Sequence, residues 1–157
     1  MQRILGIDPG TGIVGFGCIE ADSKVLALVD AGVIRTPAHE AADLRLKTIY
    51  EELNRLIEEF KPQWLSIEKL FFARNVTTAM SVSQSRGVLL LAASQANLKI
   101  AEYTPLQIKM ALTGYGRADK KQIQEMVRIL LNLNQIPKPD DAADALAAAI
   151  THAQFLT

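Results

Sequence analysis

The order of its apolar segments is the feature that most restricts the fold of this chain. The N-terminal part contains three β-type runs separated by short turns: residues 3–8, which Pro9 and Gly10 end, then 13–20 and 24–35. Short connections between such runs predict antiparallel hairpins. We therefore expect the sheet to begin with three consecutive antiparallel strands.

The rest of the chain alternates helical and strand patterns. Apolar residues recur at helical spacing over about 41–60, with charged residues between them, and Pro62 follows this helix. Further strands are predicted at 63–68 and 98–103. Further helices are predicted at about 76–97, from Pro105, at about 119–133 and at 140–155. Three hairpin-linked strands followed by strands that alternate with helices are typical of an α/β fold of the ribonuclease H-like type, a mixed five-stranded sheet flanked by helices.

The length and composition indicate one domain. A chain of 157 residues, 49% of them hydrophobic, can bury a core without disulfides, so we expect a single domain over residues 1–157. Cys18 is the one cysteine, and no paired Cys/His spacing suggests zinc, which favours a reducing, cytoplasmic setting. The short apolar run before Asp8 matches neither a signal peptide nor a membrane span, so we expect no membrane partner.

Charge is distributed unevenly, although the formal net charge is zero. Residues 1–68 contain 7 Lys/Arg and 11 Asp/Glu, residues 69–138 contain 10 and 3, and residues 139–157 contain 0 and 3. A basic middle between acidic flanks can form a polyanion-binding face beside an acidic pocket. Uneven scatter of charges gives the same counts, and the charge pattern alone leaves both interpretations open.

Four acidic residues occupy positions that can converge. Asp8 and Glu68 end the first and fourth predicted strands, and Asp141 and Asp144 begin the last helix. If the first and fourth strands are adjacent, Asp8 and Glu68 come together, and the last helix adds its two acids if it packs there. Singly, each acid is explained by a strand-ending turn or by the favourable charge of a helix N-terminus.

Joint placement of these acids predicts a metal centre, because crowded carboxylates repel one another unless a cation neutralises them. Oxygen ligands without His or Cys favour Mg²⁺, with Mn²⁺ as a substitute. Two such ions about 4 Å apart can activate a water and stabilise the leaving oxygen in phosphodiester hydrolysis.

Two nearby residues are left out of this site. Asp140 is interpreted as the N-cap of the last helix. His152 lies two turns after Asp144, and a histidine in such a position is more often a packed or capping residue than a metal ligand.

Five ordered segments resemble the RuvC family of Holliday junction resolvases over nearly the whole chain. They are GIDPGTGIVGFG (6–17), IEKLFFARN (67–75), QSRG (84–87), TGYGRADKKQIQEMV (113–127) and DAADALAAAITH (141–152). The resemblance implies a crossover junction endodeoxyribonuclease whose metal-binding catalytic carboxylates are Asp8, Glu68, Asp141 and Asp144. It also implies a homodimer that nicks opposed strands of four-way junction DNA symmetrically, alongside the branch-migration proteins RuvA and RuvB.

The same resemblance gives roles to aromatic and basic residues. Phe71 matches an aromatic that stacks on an unpaired base at the junction point in the family, and Phe72 lies next to it. Lys109 and Lys120 match family lysines beside the catalytic site, where they can hold phosphate or stabilise developing negative charge. The other predicted phosphate contacts are arginines: Arg74, Arg86 and Arg117.

Three alternative functions fit part of the sequence. The segment GIDPGTG resembles the first phosphate loop of actin-like ATPases and sugar kinases, but those proteins need a second related domain, for which 157 residues leave no room. A non-catalytic junction-binding module is expected to lack one of the four acids. A nuclease of the same fold acting on RNA shares the acids, but the TGYGRADK segment and the aromatic loop favour the junction.

Overall fold

The elements follow the predicted order along the chain, and the strands form one mixed sheet. The structure, a computed structural model, describes residues 1–10, 12–69 and 76–156. Five strands are present in these ranges: β1 (Gln2–Asp8), β2 (Ile13–Asp22), β3 (Val25–Arg35), β4 (Trp64–Glu68) and β5 (Lys99–Tyr103). The same ranges contain five helices: α1 (Ala42–Phe60), α2 (Val76–Gln95), α3 (Pro105–Thr113), α4 (Lys120–Leu130) and α5 (Asp140–Gln154). The predicted fold class is confirmed.

The strand order across the sheet is β3-β2-β1-β4-β5. β1, β2 and β3 pair in an antiparallel manner because short turns join them, whereas β4 and β5 run parallel to β1 because helices connect them. The first and fourth strands are adjacent, as the convergence of Asp8 and Glu68 requires, and Ile7 pairs with Ile67. β1 is therefore the central strand, and its C-terminal end lies beside that of β4.

Helices cover both faces of the sheet, because successive side chains of a strand point to opposite faces. Ile4 of β1 packs in a core cluster with residues of α3, α4 and α5. Its neighbours Leu5 and Ile7 pack in a second cluster with residues of α1 and α2. No helix in the described ranges is both long and apolar enough to cross a membrane.

α5 approaches the sheet closely because both surfaces carry small residues. A Cβ at Gly6 of β1 would lie 2.0 Å from the carbonyl oxygen of Ala145, and one at Gly15 of β2 would lie 2.0 Å from that of Asp141. Alanines line much of α5. Only glycine fits at these two strand positions, and the contact fixes the start of α5 against the end of β1.

Two helices end earlier than the sequence predicts. α2 stops at Gln95 rather than near residue 97, and α4 stops at Leu130 rather than near residue 133. An asparagine with positive φ follows each helix: Asn97 at 62° and Asn132 at 53°. Asparagine tolerates this left-handed conformation better than most residues and ends the helical backbone there.

Candidate active site

Asp8 and Glu68 occupy neighbouring positions at one edge of the sheet. The parallel ladder pairs Ile7 with Ile67, so Asp8 and Glu68 are the next residues on the two strands. Adjacent strands lie about 4.8 Å apart. The strand register therefore brings together two acids that are 60 positions apart in the sequence.

Both carboxylates also point to the face of the sheet that α5 covers. On β4, the hydroxyl of Ser66 donates to the carbonyl oxygen of Ala148 of α5 at 2.7 Å, and Glu68 lies two residues further along the same face. On β1, Gly6 contacts α5, and Asp8 again lies two residues further. The buried hydrogen bond of Ser66 fixes β4 relative to the helix that carries the other two acids.

α5 brings Asp141 to Asp8. Gly15, where a Cβ would lie 2.0 Å from the Asp141 carbonyl oxygen, is the antiparallel partner of Asp8 in the sheet. The carboxyl group of Asp141 is close enough to that of Asp8 to act on its pKa as a hydrogen-bond partner. Asp144 lies three residues later, on the same side of the helix, and both α5 acids are partly buried. The four predicted carboxylates thus gather at one corner of the fold.

Burial and the neighbouring acids raise the pKa of Asp8 strongly. Burial, followed by the negative charges of Asp144, Asp141 and Glu68, raises the pKa of Asp8 from its ordinary value of 3.8 to about 8. The hydrogen bond with Asp141 acts in the same direction. In the absence of a cation, this carboxyl retains a proton near neutral pH.

Two lysines offset part of this repulsion. Burial raises the pKa of Glu68, and Asp144 adds to that effect, while Lys109 lowers it. Burial likewise raises the pKa of Asp144, while Lys120 lowers it. The pKa of Lys120 is itself raised, chiefly by the charge of Asp144. Acids and lysines therefore interact electrostatically across the site.

The donor set fits a hard divalent cation, because every candidate ligand is a carboxylate oxygen. Burial, together with the charge of neighbouring acids, holds the pKa values of Asp8, Glu68 and Asp144 high. A cation would stabilise the ionised form of these three acids and so oppose the effect of burial and repulsion on their pKa values. As placed, however, no group of three or more His, Cys, Asp or Glu side chains within the described ranges is arranged to hold a metal ion. The acids are near enough to affect one another's ionisation, but their side chains are not yet arranged as a metal-binding site.

A cleft of about 360 Å³ opens beside the acids. Its charged lining includes Glu68, Asp144, Lys109 and Lys120. The ammonium nitrogen of Lys120 lies 3.3 Å from Oδ2 of Asp140 and 3.8 Å from Oδ2 of Asp144. Both predicted lysines therefore face the same cavity as two of the predicted carboxylates.

Capping boxes place these lysines. Thr104 caps α3 through the backbone N–H of Gln107, and Lys109 follows within this short helix. Asp119 caps α4 through the backbone N–H of Gln122, which makes Lys120 the first residue of α4. The segment between the two helices contains the predicted contact Arg117, which is exposed. The next two residues, Ala118 and Asp119, line the cleft.

The prediction for Asp140 was wrong. Pro139 occupies the N-cap position of α5, and no side chain caps this helix end. The carboxylate of Asp140 instead accepts from the Gln124 side chain at 3.1 Å and pairs with Lys120. The spacing of Asp140 and Asp144, four residues on one helix, was the signal that both could reach a single lysine.

His152 lies away from the acids. Its Nδ1 is 2.6 Å from the hydroxyl of Tyr103, and its ring centroid is 4.1 Å from that of Trp64. Trp64 begins β4, whereas Glu68 ends it. His152 is a buried residue near the C-terminal end of α5, which agrees with the interpretation as a packed residue.

The remaining predicted DNA contacts differ in their outcome. Arg86 forms an ion pair with Glu102 at 3.2 Å, and only 15% of its side chain is exposed. Three predicted contacts lie outside the described residues: Phe71, Phe72 and Arg74.

Comparison with known proteins gives consistent matches over almost the whole chain. The family model described as crossover junction endodeoxyribonuclease RuvC matches residues 4–152. The RuvC protein of Brevibacillus brevis is 56% identical over 154 residues, covering 98% of this chain and 93% of the relative. The structure of Thermus thermophilus RuvC matches with a TM-score of 0.92 and 34% identity, covering 99% of this chain and 95% of the other. A second structure, T. thermophilus RuvC in complex with Holliday junction substrate, matches with a TM-score of 0.91, 31% identity and the same coverage.

Proposed function

The chain belongs to the RuvC family of crossover junction endodeoxyribonucleases, and from this premise we propose how its residues cut DNA. The protein is a nuclease that resolves Holliday junctions by endonucleolytic cleavage in recombination and repair. The proposed reaction is hydrolysis of one phosphodiester bond in each of two opposed strands, with the two nicks placed symmetrically about the branch point. Junction binding is supported by the complex of T. thermophilus RuvC with a Holliday junction substrate.

The observation that supports the chemistry is the gathering of Asp8, Glu68, Asp141 and Asp144 at one edge of the cleft. Their carboxylate oxygens would hold Mg²⁺, or Mn²⁺ as a substitute, with two ions per site. When bound, such ions activate a water and stabilise the leaving oxygen. The four side chains thereby act as catalytic metal ligands.

Lys109 and Lys120 supply positive charge inside the cleft. A lysine that faces the reacting phosphate can stabilise the extra negative charge of the transition state. Lys120 pairs with Asp140 and Asp144 in the structure, so phosphate entry would compete with these carboxylates for its ammonium group. We propose that both lysines contact the phosphate that is cut.

Symmetric nicking requires two active sites, and a homodimer would supply them. The surface of α2 offers a suitable interface: Met80 and Leu91 are exposed, and Gly87 has open space where a Cβ would lie. These positions are separated by seven and four residues and therefore share one helix face. Exposed apolar side chains on this face support dimerisation through α2. RuvA and RuvB remain proposed partners.

The proposed DNA contacts outside the cleft rest on the sequence alone. Phe71, with Phe72 beside it, would stack on a base at the branch point, where stacking stabilises by about 1–3 kcal/mol per base. Arg74 and Arg117 would contact flanking phosphates. A cytoplasmic location and a single domain over 1–157 are likewise proposals, supported by the lone, buried cysteine and the single sheet in the described ranges.

The proposal is tested with a mobile synthetic four-way junction and Mg²⁺, mapping nicks on all four strands beside a linear duplex of the same sequence. Paired nicks at symmetric positions, with the duplex left intact, are expected. The chelated protein should bind the junction without cutting it. Unpaired nicks, or equal cutting of the linear duplex, would contradict paired and structure-selective cleavage.

A further inference from the structure

An ion pair with a largely buried arginine connects α2 to β5, the strand next to the one that ends at Glu68. The guanidinium of Arg86 contacts Oε1 of Glu102 at 3.2 Å, and its Nε lies 3.5 Å from the backbone carbonyl oxygen of Glu68. With 15% of its side chain exposed, Arg86 offers little surface to a DNA backbone. Its charge is also already matched by a carboxylate, which weakens attraction for phosphate.

The position of Glu102 explains what the pair can do. Glu102 is the parallel partner of Ile67, and the next residue, Tyr103, is the partner of Glu68. The Tyr103 carbonyl accepts from the backbone N–H of Lys69 at 2.7 Å. Arg86 therefore lies over the last residue pairs of the β4–β5 ladder. Glu68, which carries the proposed metal-binding carboxylate, ends β4 at this point.

From these contacts we propose that Arg86, held by Glu102, is a positioning residue for Glu68 and does not contact DNA phosphate. The inference rests on the proposed function, in which Glu68 is a metal ligand. Metal ligands must be held to within about 0.5 Å, and groups that orient them affect metal affinity or activity by about 10- to 100-fold. Arg86 ties the end of β4 to α2, which lies on the opposite face of the sheet from α5.

Glu102→Gln distinguishes between two roles of Arg86, positioning of Glu68 and contact with phosphate, because each role predicts a different result. If Arg86 positions Glu68, loss of its partner should raise the Mg²⁺ concentration for half-maximal cleavage about 10-fold, with junction affinity in EDTA unchanged. The stabilisation of the DNA-free protein by Mn²⁺, measured as a shift in Tm, should fall in parallel. If Arg86 contacts phosphate, Glu102→Gln frees a cation and should tighten junction binding without changing the metal requirement.

Arg86→Gln gives a second measurement. A lost phosphate contact lowers the slope of log affinity against log salt by about one unit, whereas a positioning residue leaves the slope unchanged. Reversing the pair with Arg86→Glu and Glu102→Arg together should restore part of the wild-type Mg²⁺ requirement. A lower salt slope for Arg86→Gln, or a wild-type Mg²⁺ requirement in both single variants, would overturn the inference.

Arg3→Gln is the matched control. Arg3 also pairs with a glutamate, Glu20, at 2.7 Å and donates to a backbone carbonyl, that of Phe60, at 2.7 Å, but it lies at the opposite end of β1 from Asp8. The control should lose stability and keep the wild-type Mg²⁺ requirement. An equal change in Mg²⁺ requirement would assign the Arg86 effect to general stability and overturn the inference. Wild-type cleavage in the same assays tests the proposed function separately.

Discussion

The Asp8→Asn substitution is expected to abolish cleavage and, at the same time, to stabilise the metal-free protein. Cleavage should be lost because asparagine is a weaker ligand for a hard cation than a carboxylate. Stability should rise because burial and the charges of Asp144, Asp141 and Glu68 oppose ionisation of Asp8 in the folded state. A gain in stability from a substitution that removes activity would show that the site is strained until a cation binds.

The size of the gain in stability follows from the pKa of Asp8, which is raised from 3.8 to about 8. Between these values the folded protein keeps a proton that the unfolded chain has released, so stability falls as pH rises. Each pKa unit corresponds to about 1.4 kcal/mol, so roughly 2–4 kcal/mol is lost between pH 4 and pH 7. Asn removes this loss but weakens the contact with Asp141, so we expect a net gain of about 2 kcal/mol at pH 7, or about 4–8 °C in Tm.

The assay is unfolding in EDTA at pH 5, 7 and 8, repeated with Mn²⁺, for the wild type and Asp8→Asn. The wild type should lose stability across this pH range and regain it with Mn²⁺, and the variant should do neither. Junction binding by gel shift should persist or strengthen, because one negative charge near the phosphates is removed. Asp30→Asn, which changes an exposed acid on β3, is the control.

Two results would refute this reasoning. Full cleavage by Asp8→Asn at ordinary Mg²⁺ would show that Asp8 is not a metal ligand. A metal-free variant that is less stable than the wild type at pH 7, with the wild-type dependence on pH, would show that the four acids do not repel one another as their placement indicates.

Three further predictions concern the surroundings of the acids. Lys120→Ala should lower the single-turnover cleavage rate at saturating protein by about 10- to 100-fold; an unchanged rate with weaker binding would make Lys120 a phosphate anchor only. Gly15→Ala should destabilise the protein by about 1–3 kcal/mol and reduce cleavage. The added Cβ would lie 2.0 Å from the Asp141 carbonyl oxygen, so α5 would have to move. Wild-type behaviour in urea unfolding and in cleavage would contradict that close approach. Burial lowers the pKa of His152 below 6.5, so the folded protein should lose stability as pH falls through 6.5 toward that lower value, where the unfolded chain binds the extra proton. An NMR titration that places the His152 pKa above 6.5 would exclude this contribution.

Local patterns in the sequence determined the elements and their order. The β-type runs, the helical periodicity after residue 41 and the turn residues depend on neighbours a few positions apart. They predicted the mixed sheet and the C-terminal ends of its strands, except that β2 continues to Asp22. The ordered motifs likewise predicted the family, which the comparisons confirm. Asp8 and Glu68 could be placed side by side because they end strands whose adjacency the fold class implies.

Tertiary structure alone decided which partners the charged side chains have. Asp140 was predicted to cap its own helix, but α4 packs beside α5 and presents Lys120 and Gln124 to its carboxylate. The contact of Arg86 with phosphate stays a prediction, but the packing of α2 beside β5 gives its side chain a protein partner, Glu102, at 3.2 Å. A long charged side chain can reach several partners, and the nearest one depends on how distant elements pack, which short sequence patterns do not record.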